Sequence, residues 1–478
     1  MILKTLALAV VLLQDPPLEA RLEEQCKRFE SENPGERDAA QVELGLLAWK
    51  DAARGLRWIE AKLAASPGAE AAGRLRQTLA QLNGGRWRML PACPLDGRLS
   101  YASAVVGNKV MIWGGFSCKS GRPQFFSDGA VLDLEAWSWT RMSASPIRPC
   151  RLALARAFGG KVLVIGGDEN AEPGDTAGFA DTAWYDPAQD SWQKLEDCPI
   201  LTRWRRVVWT DRGLVVWQEP NGDREFAGAV FEASTGRWTP MKPIPLSPRR
   251  HTAAALIGTT VVVWGGESVP GTSRLADGAR YDVTRNEWTA MARSSLSPRS
   301  WADATPLGSH VIVMGGFPGG GGREKEHRDG ALYDPARDTW SPLPEAPQFP
   351  EVYDSSRCGD KSLLMWGEDG CALYTLGETA WRVLPKVPCP VGSVRRRLVR
   401  VENRVLLGGC EGDVLTGAWF DLSGPAWHPI PRLEMHRECT VTPRGLLLWG
   451  GGDTGYLKGE IPCPAHNDGA FLEIPQEP

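Results

Sequence analysis

A pair of glycines that closes an apolar run recurs along this chain at intervals of about fifty residues, and a tryptophan follows most of these pairs after a short segment such as Tyr-Asp-Pro. The six pairs are Gly114-Gly115, Gly166-Gly167, Gly265-Gly266, Gly315-Gly316, Gly408-Gly409 and Gly450-Gly451. A period of this length indicates stacked supersecondary units, each of which is too small to bury its own apolar face. The repeat therefore constrains the fold more than any other feature of the chain.

The repeat unit reads as four short antiparallel strands. Its apolar runs are rich in Val, Ile, Trp and Tyr and are bounded by Gly, Pro and Asp. Two further units, whose second strands end at Trp217 and Trp366, have lost glycine from the pair. With these two counted, the eight second strands end at Trp113, Ile165, Trp217, Trp264, Met314, Trp366, Leu407 and Trp449. The eight fourth-strand tryptophans are Trp87, Trp139, Trp192, Trp238, Trp288, Trp340, Trp381 and Trp427.

Four strands, the di-glycine, the Tyr-Asp pair and the tryptophan make the unit resemble the kelch repeat of β-propellers over about residues 86–478. The resemblance implies a mainly β fold, a kelch-type propeller of eight four-stranded blades, or of seven if a degenerate unit is not a blade. Trp87 precedes every complete unit, and the last unit has no tryptophan after Ala470. We therefore expect residues 86–90 to complete the C-terminal blade, which closes the ring and leaves no open sheet edge.

Residues 1–14 differ from everything that follows them. Residues 6–13 form an unbroken apolar stretch after a single lysine. The stretch is too short to span a bilayer and has the order of a secretory signal. The sequence therefore predicts a signal peptide at 1–14 and a periplasmic or secreted protein, with no integral membrane segment after signal removal. A buried N-terminal helix is the alternative.

Residues 15–85 predict a small α-helical segment. They are rich in Ala, Leu, Glu and Arg and show no strand alternation. The pattern predicts helices at about 17–31, 36–49, 51–65 and 69–82, with breaks at Asn33-Pro34-Gly35 and Ser66-Pro67-Gly68. The segment resembles a short HEAT-like helical repeat. It either packs on the propeller as a cap or recruits a partner.

The composition argues against several classes of function. With 54 basic and 58 acidic residues the net charge is −4, so no basic surface indicates nucleic-acid binding. No glycine loop has the spacing of a phosphate site. The six histidines are scattered and none belongs to a Tyr-His pair, which argues against a copper-radical oxidase. We expect neither a cofactor nor a metal ion.

Four of the eleven cysteines occupy two similar placements. Cys93 and Cys389 each precede a proline ahead of a blade's first strand, while Cys118 and Cys410 follow the glycine pairs of the same two blades. Both placements lie on one face of an antiparallel blade. The pattern therefore predicts the disulfides Cys93–Cys118 and Cys389–Cys410 in an oxidising compartment, with buried free thiols as the alternative.

The binding-site prediction depends on a position that the blades share. The residue thirteen places before the end of the second strand is aromatic in blades three to six, with arginines just before it and carboxylates after the second strand. First strands are innermost in a propeller, so these side chains should surround one mouth of the central channel. The predicted ligand-binding residues are Trp204, His251, Trp301, Tyr353, Arg203, Arg249, Arg299, Glu219, Glu267 and Glu368.

Aromatic planes beside carboxylate and guanidinium groups suit a sugar, whose apolar face stacks while its hydroxyls form hydrogen bonds, and they also suit an acidic peptide. The leading hypothesis is an exported propeller that binds a carbohydrate or a protein at this mouth without catalysing a reaction. The first alternative is a carbohydrate-active enzyme resembling the kelch sialic-acid mutarotases, with a Glu and an Arg at the mouth. A purely structural interaction protein is a third possibility, and Arg–Glu pairs that hold the blades together would explain the same charges.

Overall fold

The structure, a computed structural model, describes residues 16–473 apart from short gaps. The gaps are 51, 66, 84–85, 120–121, 170–177, 179, 201–204, 220–225, 270, 272, 320–326, 348–351, 368–369, 386, 388–393, 402–403, 412–413, 422–426, 431–432, 435–437 and 452–465. The expected signal peptide at 1–14 lies outside the described residues.

The N-terminal segment consists of α-helices, as the sequence predicts. The helices are α1 (Leu18–Lys27), α2 (Pro34–Lys50), α3 (Ala52–Ala64) and α4 (Ala69–Asn83), and a 3-10 turn at Arg28–Glu30 follows α1. Leu22, Phe29, Leu44, Ile59 and Leu75 are buried against one another in a core that contains no propeller residue. The segment therefore has a small hydrophobic core of its own, and α4 contacts an outer strand of the ring.

The β-strands of the first four blades follow a single order along the chain. Strand β1 (Arg86–Met89) precedes them. Blade 1 contains β2 (Ala102–Val106), β3 (Lys109–Trp113), the projecting hairpin β4 (Phe116–Lys119) and β5 (Arg122–Phe125), β6 (Gly129–Asp133) and β7 (Ser138–Arg141). Blade 2 contains β8 (Leu154–Phe158), β9 (Lys161–Ile165), β10 (Thr182–Asp186) and β11 (Ser191–Lys194). Blade 3 contains β12 (Arg205–Thr210), β13 (Gly213–Gln218), β14 (Ala227–Glu232) and β15 (Arg237–Pro240). Blade 4 contains β16 (Arg249–Arg250), β17 (Ala253–Ile257), β18 (Thr260–Trp264), β19 (Glu267–Ser268), β20 (Gly278–Asp282) and β21 (Glu287–Ala290).

The other four blades repeat the order. Blade 5 contains β22 (Asp303–Leu307), β23 (His310–Met314), β24 (Gly330–Asp334) and β25 (Thr339–Pro342). Blade 6 contains β26 (Val352–Cys358), β27 (Ser362–Gly367), β28 (Gly370–Thr375) and β29 (Arg382–Val383). Blade 7 contains β30 (Val394–Val401), β31 (Arg404–Glu411), β32 (Val414–Asp421), β33 (Trp427–Pro429) and the short β34 (Leu433–Glu434). Blade 8 contains β35 (Glu438–Thr442), β36 (Gly445–Trp449) and β37 (Gly469–Glu473).

The last blade takes its outermost strand from the start of the propeller sequence. Its sheet order is β1-β37-β36-β35, and the antiparallel register pairs Arg86 with Glu473 and Trp87 with Leu472. The innermost strands of blades 8 and 1 contact each other, as those of blades 1 and 2 do. The expected closure and the count of eight four-stranded blades are both confirmed.

The repeated tryptophans form hydrogen bonds that link one blade to the blade before it. Their indole N–H groups donate to carbonyl oxygens in the connection that leaves the outermost strand of the preceding blade. Six of the described bonds are Trp139 to Pro91 at 3.1 Å, Trp192 to Ser143 at 3.1 Å, Trp238 to Glu196 at 3.2 Å, Trp288 to Lys242 at 2.9 Å, Trp340 to Ala292 at 3.0 Å and Trp381 to Pro344 at 2.9 Å. Because the indole is part of the packing between blades, its abundance is explained by the scaffold rather than by a ligand.

The glycine pair is required by backbone geometry where the second strand ends. Gly114 and Gly115 have φ of +70° and +93°, and a Cβ on Gly115 would lie 2.7 Å from the carbonyl oxygen of Leu99. The N–H of Gly115 donates to Cys150 of the next blade at 2.8 Å. The pair therefore allows the backbones of neighbouring blades to bond directly around the mouth. We call the face on which the second strands end the upper mouth.

Candidate functional site

The shared position predicted from the sequence has one backbone conformation in blades 1, 2, 4 and 5. Ser100, Leu152, His251 and Trp301 have φ of +52°, +56°, +58° and +59°. The N–H of Leu152 donates to Ser100 at 2.8 Å, and that of Trp301 donates to His251 at 3.0 Å, each across a blade boundary. Because these residues lead into the innermost strands, they line the upper mouth, and we call them the mouth residues.

Two of the mouth residues expose large apolar side chains. Leu152 is 54% exposed and Trp301 is 57% exposed, and Phe317 beside Ser300 is also exposed. Most of the other apolar side chains in the ring are buried between blades. Contiguous exposed apolar surface marks contact sites, whereas single exposed apolar side chains are common on any protein surface.

His251 and Trp301 form an aromatic pair across the boundary between blades 4 and 5. Their ring centroids are 3.9 Å apart and their planes are inclined by 18°. Burial lowers the pKa of His251 below its usual value, and the charges of Arg250 and Arg206 act in the same direction against those of Glu219 and Glu267. The imidazole is therefore neutral at neutral pH, and it stacks on the indole as an uncharged ring.

Glu219 occupies the position of the second glycine in blade 3, and its side chain reaches blade 4. Its Oε2 accepts a hydrogen bond from the backbone N–H of His251 at 2.8 Å. Its Oε1 accepts from the N–H and the hydroxyl of Thr252 at 3.2 and 2.6 Å, and the Arg206 guanidinium lies 3.5 Å away. The carboxylate thus orients the backbone that carries the imidazole, across the boundary between blades 3 and 4.

Glu267 lies between two guanidinium groups. Arg250 donates to its Oε1 at 2.6 and 2.9 Å, and Arg274 lies 2.9 Å from its Oε2. Burial acts to raise the pKa of Glu267, but the hydrogen bond from Arg250 and the two positive charges outweigh it and hold the pKa below its usual value. Both Glu219 and Glu267 are therefore near the aromatic pair, but their carboxylate oxygens already have partners in the protein.

Arg249 and Arg299, predicted to bind a ligand, have their side chains engaged within their own blades. The Arg299 side chain is fully buried, and it donates to both carboxylate oxygens of Asp329 at 2.7 and 3.0 Å and to the carbonyl of Gly315 at 3.1 Å. Arg249 has the same partners in its own blade, with Asp277 at 2.7 and 3.0 Å. These guanidinium groups hold the second and third strands of a single blade, and they are not available at the mouth.

The other predicted residues fall partly or wholly outside the described residues. Arg203, Trp204 and Glu368 lie in the gaps, and Tyr353 is described only as a backbone position at a bulge in β26. Their place in the site stays a prediction. The sequence reasoning missed Arg206, Arg274 and Phe317, which the fold brings close to the aromatic pair or its neighbours.

The structure does not contain the predicted Cys93–Cys118 disulfide, because both residues are free thiols in it. The segment around Cys93 lies on the outermost strand of blade 1, where Trp139 and Arg141 of β7 donate to the carbonyls of Pro91 and Pro94. Cys118 lies in the hairpin that rises from the inner side of the blade, where Phe116 pairs with Leu99. Cys389 lies outside the described residues, so the second disulfide stays a prediction.

No group of three or more His, Cys, Asp or Glu side chains that could hold a metal ion is found within the described parts of the chain. In the same parts, no helix is long and apolar enough to cross a membrane.

Comparison with known proteins adds to this geometry. A family model described as the kelch motif matches residues 97–146. The Kelch-like protein terF of Aspergillus terreus is 25% identical over 198 residues, which are 38% of this chain and 42% of that protein, so the match spans less than half of the relative. A solved structure of a protein called YjhT covers 62% of this chain and 99% of its own, with 21% identity and a TM-score of 0.38.

Proposed function

We propose that this chain, which is a kelch-repeat β-propeller with a helical N-terminal segment, binds a carbohydrate on the Trp301–His251 pair at the upper mouth and does not catalyse a reaction. The observation that carries the proposal is the indole of Trp301, which is stacked on an imidazole and still more than half exposed. A kelch propeller supports an interaction module in general. The ligand class is inferred from the chemistry of the mouth.

The backbone conformation at the position of Trp301 does not require a tryptophan. Blade 1 has Ser100 in the same conformation, so a small side chain is sufficient for the backbone. A non-glycine residue in the left-handed region costs roughly 1–2 kcal/mol, and an exposed side chain recovers little of this through burial. A bulky aromatic residue that is strained and exposed therefore favours a contact with something outside the fold.

A carbohydrate fits this surface better than a purely apolar ligand does. The face of an indole accepts the C–H groups of a sugar ring, while polar groups around it bind the hydroxyls. Arg206 and Arg250 are half-exposed beside the imidazole and can donate such bonds. A protein ligand remains an outcome of the tests below.

The geometry favours binding over the mutarotase-like alternative. Proton transfer at neutral pH needs a carboxyl group whose pKa is raised towards 7 and which can reach the substrate. Glu267 has a lowered pKa and is held by two guanidinium groups, and Glu219 accepts three hydrogen bonds from the next blade. Neither carboxylate is arranged as a general acid.

Replacing Trp301 with glycine separates a binding role from a structural one. Glycine tolerates a φ of +59° without strain, so the variant should melt within a few degrees of the wild type. Its affinity for the carbohydrate should fall by about tenfold or more, because the stacking surface is lost. Binding is measured by calorimetry against the best ligand from a glycan panel, and stability by thermal unfolding.

The matched control is Val383→Ala, which shortens another exposed apolar side chain on the outermost strand of blade 6. It should change neither binding nor melting. A Trp301→Gly variant that binds like the wild type would remove the site from the upper mouth. If Trp301→Gly binds like the wild type and its melting temperature is also far lower, the indole of Trp301 has a packing role in the scaffold.

Export is proposed from the apolar N-terminal stretch. If residues 1–14 are a signal peptide, the mature protein should begin near Gln14 or Asp15 when it is recovered from the periplasm or the medium. Mass spectrometry without reduction measures this N-terminus. The same spectra should show whether Cys389 and Cys410 are joined, and an intact Met1 in native material would reverse the proposal.

A further inference from the structure

Two guanidinium groups beside the aromatic pair keep donors that the scaffold does not use. The Arg206 side chain is 40% exposed and the Arg250 side chain is 39% exposed. Arg250 engages Glu267 through Nε and Nη2, and Arg206 reaches Glu219 through Nε and the carbonyl of Thr252 through Nη2. Within the described parts of the chain, the Nη1 group of each has no partner.

These two arginines differ from the arginines that hold the blades. Arg98, Arg249 and Arg299 lie two places before a mouth residue and are buried, with an aspartate of the same blade as partner. Arg250 lies one place before His251, as Arg151 lies before Leu152 in blade 2, but Arg151 is buried against Asp168 while the Arg250 side chain is 39% exposed beside the imidazole. Arg206 lies at the start of β12 and faces the same imidazole from blade 3.

The charges around the pair leave a positive excess. Arg206, Arg250 and Arg274 carry three positive charges, Glu219 and Glu267 carry two negative charges, and His251 is neutral at neutral pH. The carboxylate oxygens are occupied by hydrogen bonds from the protein. Among the described residues, the groups left for a ligand are therefore donors with a net charge of +1 beside an aromatic plane.

We infer that the ligand is an acidic sugar whose carboxylate is bound by Arg206 and Arg250 while its ring stacks on Trp301. The inference rests on the proposed function and narrows it to one chemical class. A carboxylate accepts paired hydrogen bonds from guanidinium forks, and such charge-assisted bonds are the strong ones. Among the described residues beside the aromatic pair, a neutral sugar would leave this positive excess uncompensated.

The test compares acidic oligosaccharides with their carboxyl methyl esters on the full-length protein. The panel contains oligomers of galacturonic, glucuronic and mannuronic acid and a sialylated trisaccharide, each beside its ester, so that the members of a pair differ in the charge of the carboxyl groups and in the added methyl groups. At least one acid should bind at least about tenfold more tightly than its ester. Added salt should lower the affinity for the acid but not the affinity for the ester.

The variants assign the effect to the two arginines. Arg206→Gln and Arg250→Gln should each lower the affinity for the acid by about tenfold and leave the affinity for the ester unchanged. Arg206→Lys should retain part of the affinity for the acid. The control is Arg285→Gln, an exposed arginine at the opposite end of the blade-4 strands, which should change nothing. If a glutamine variant fails to fold, the comparison of acid and ester on the wild type still decides.

Three results would overturn the inference. If an ester binds as tightly as its acid and Trp301→Gly still weakens the binding of both, the proposed function stands. The claim that the ligand needs an anionic group is then rejected. Binding of an oligoglutamate peptide without binding of any acidic sugar would assign the mouth to a protein ligand. If no acid in the panel binds, acidic sugars are rejected as the ligand class. Binding of neutral glycans to the wild type and to Trp301→Gly would then test the proposed function on its own.

Discussion

Deletion of residues 86–90 should abolish cooperative unfolding of the whole ring. Their strand β1 forms the outer edge of the last sheet, and Trp87 is buried with Leu406, Trp419 and Leu472 at the boundary between blades 7 and 8. Without it, β37 becomes an open edge that can pair with another molecule. Thermal unfolding should become broad or multistep, and light scattering should detect association.

The point variant Trp87→Ala gives the same test on an intact chain. A large buried aromatic residue replaced by alanine costs about 3–5 kcal/mol, so the midpoint of unfolding should fall by several degrees. Deletion of 18–82 is the control, because the helices have their own core, and it should leave the cooperativity of the ring intact. A chain that begins at Leu95 and is monomeric with unchanged stability would contradict this closure.

Replacing Arg299 with leucine should destabilise the protein by about 2 kcal/mol, since it removes a buried guanidinium that serves the carbonyl of Gly315 and the half-exposed carboxylate of Asp329. The side chain is fully buried and serves the carboxylate of Asp329 and the carbonyls of Gly315 and Ser297. Chemical denaturation measures the loss. Arg337→Leu, which changes an exposed arginine of the same blade, should stay within about 0.5 kcal/mol of the wild type.

The pH dependence of this contact has a definite sign. The hydrogen bonds from Arg299, together with its charge, hold the pKa of Asp329 below its usual value against the opposing effect of burial. The stabilisation is therefore complete above the unfolded pKa of about 3.9 and is lost as the pH falls through the lower folded value. Arg299→Leu should lack this acid-dependent component. An Arg299→Leu protein of unchanged stability that no longer binds the ligand would return Arg299 to the site.

The fold was predictable because the same sequence pattern recurs many times along the chain. Each unit has a tryptophan where an indole N–H reaches the preceding blade, and most have a glycine pair where two backbones meet. The closing strand followed from counting, since one tryptophan stood before the first unit and none after the last. The helices followed from composition and from the breaks at Pro34 and Pro67.

The site was only partly predictable, because spacing alone does not say which way a side chain points. Arg249 and Arg250 are adjacent, yet one is buried in its blade and the other reaches the mouth. The position two places before the mouth residue repeats as Arg98, Arg249 and Arg299, and such repetition is typical of a scaffold role. The position one place before it is also arginine in blades 2, 3 and 4, as Arg151, Arg203 and Arg250, yet Arg151 is buried against Asp168 while Arg250 is partly exposed. The residue type at this position therefore does not distinguish a scaffold contact from a ligand-facing side chain.

The closing pairing also fixes when the ring can be completed during synthesis. Strand β1 is made before any blade, while its partner β37 is made almost last. At roughly 5–20 residues per second, the first strand waits unpaired on the order of tens of seconds. Its sequence, Arg86-Trp87-Arg88, places a charge on each side of the apolar residue, as strands that must remain exposed for a time commonly do. In the finished ring Trp87 is buried, and Arg88 lies over the indole of Trp137.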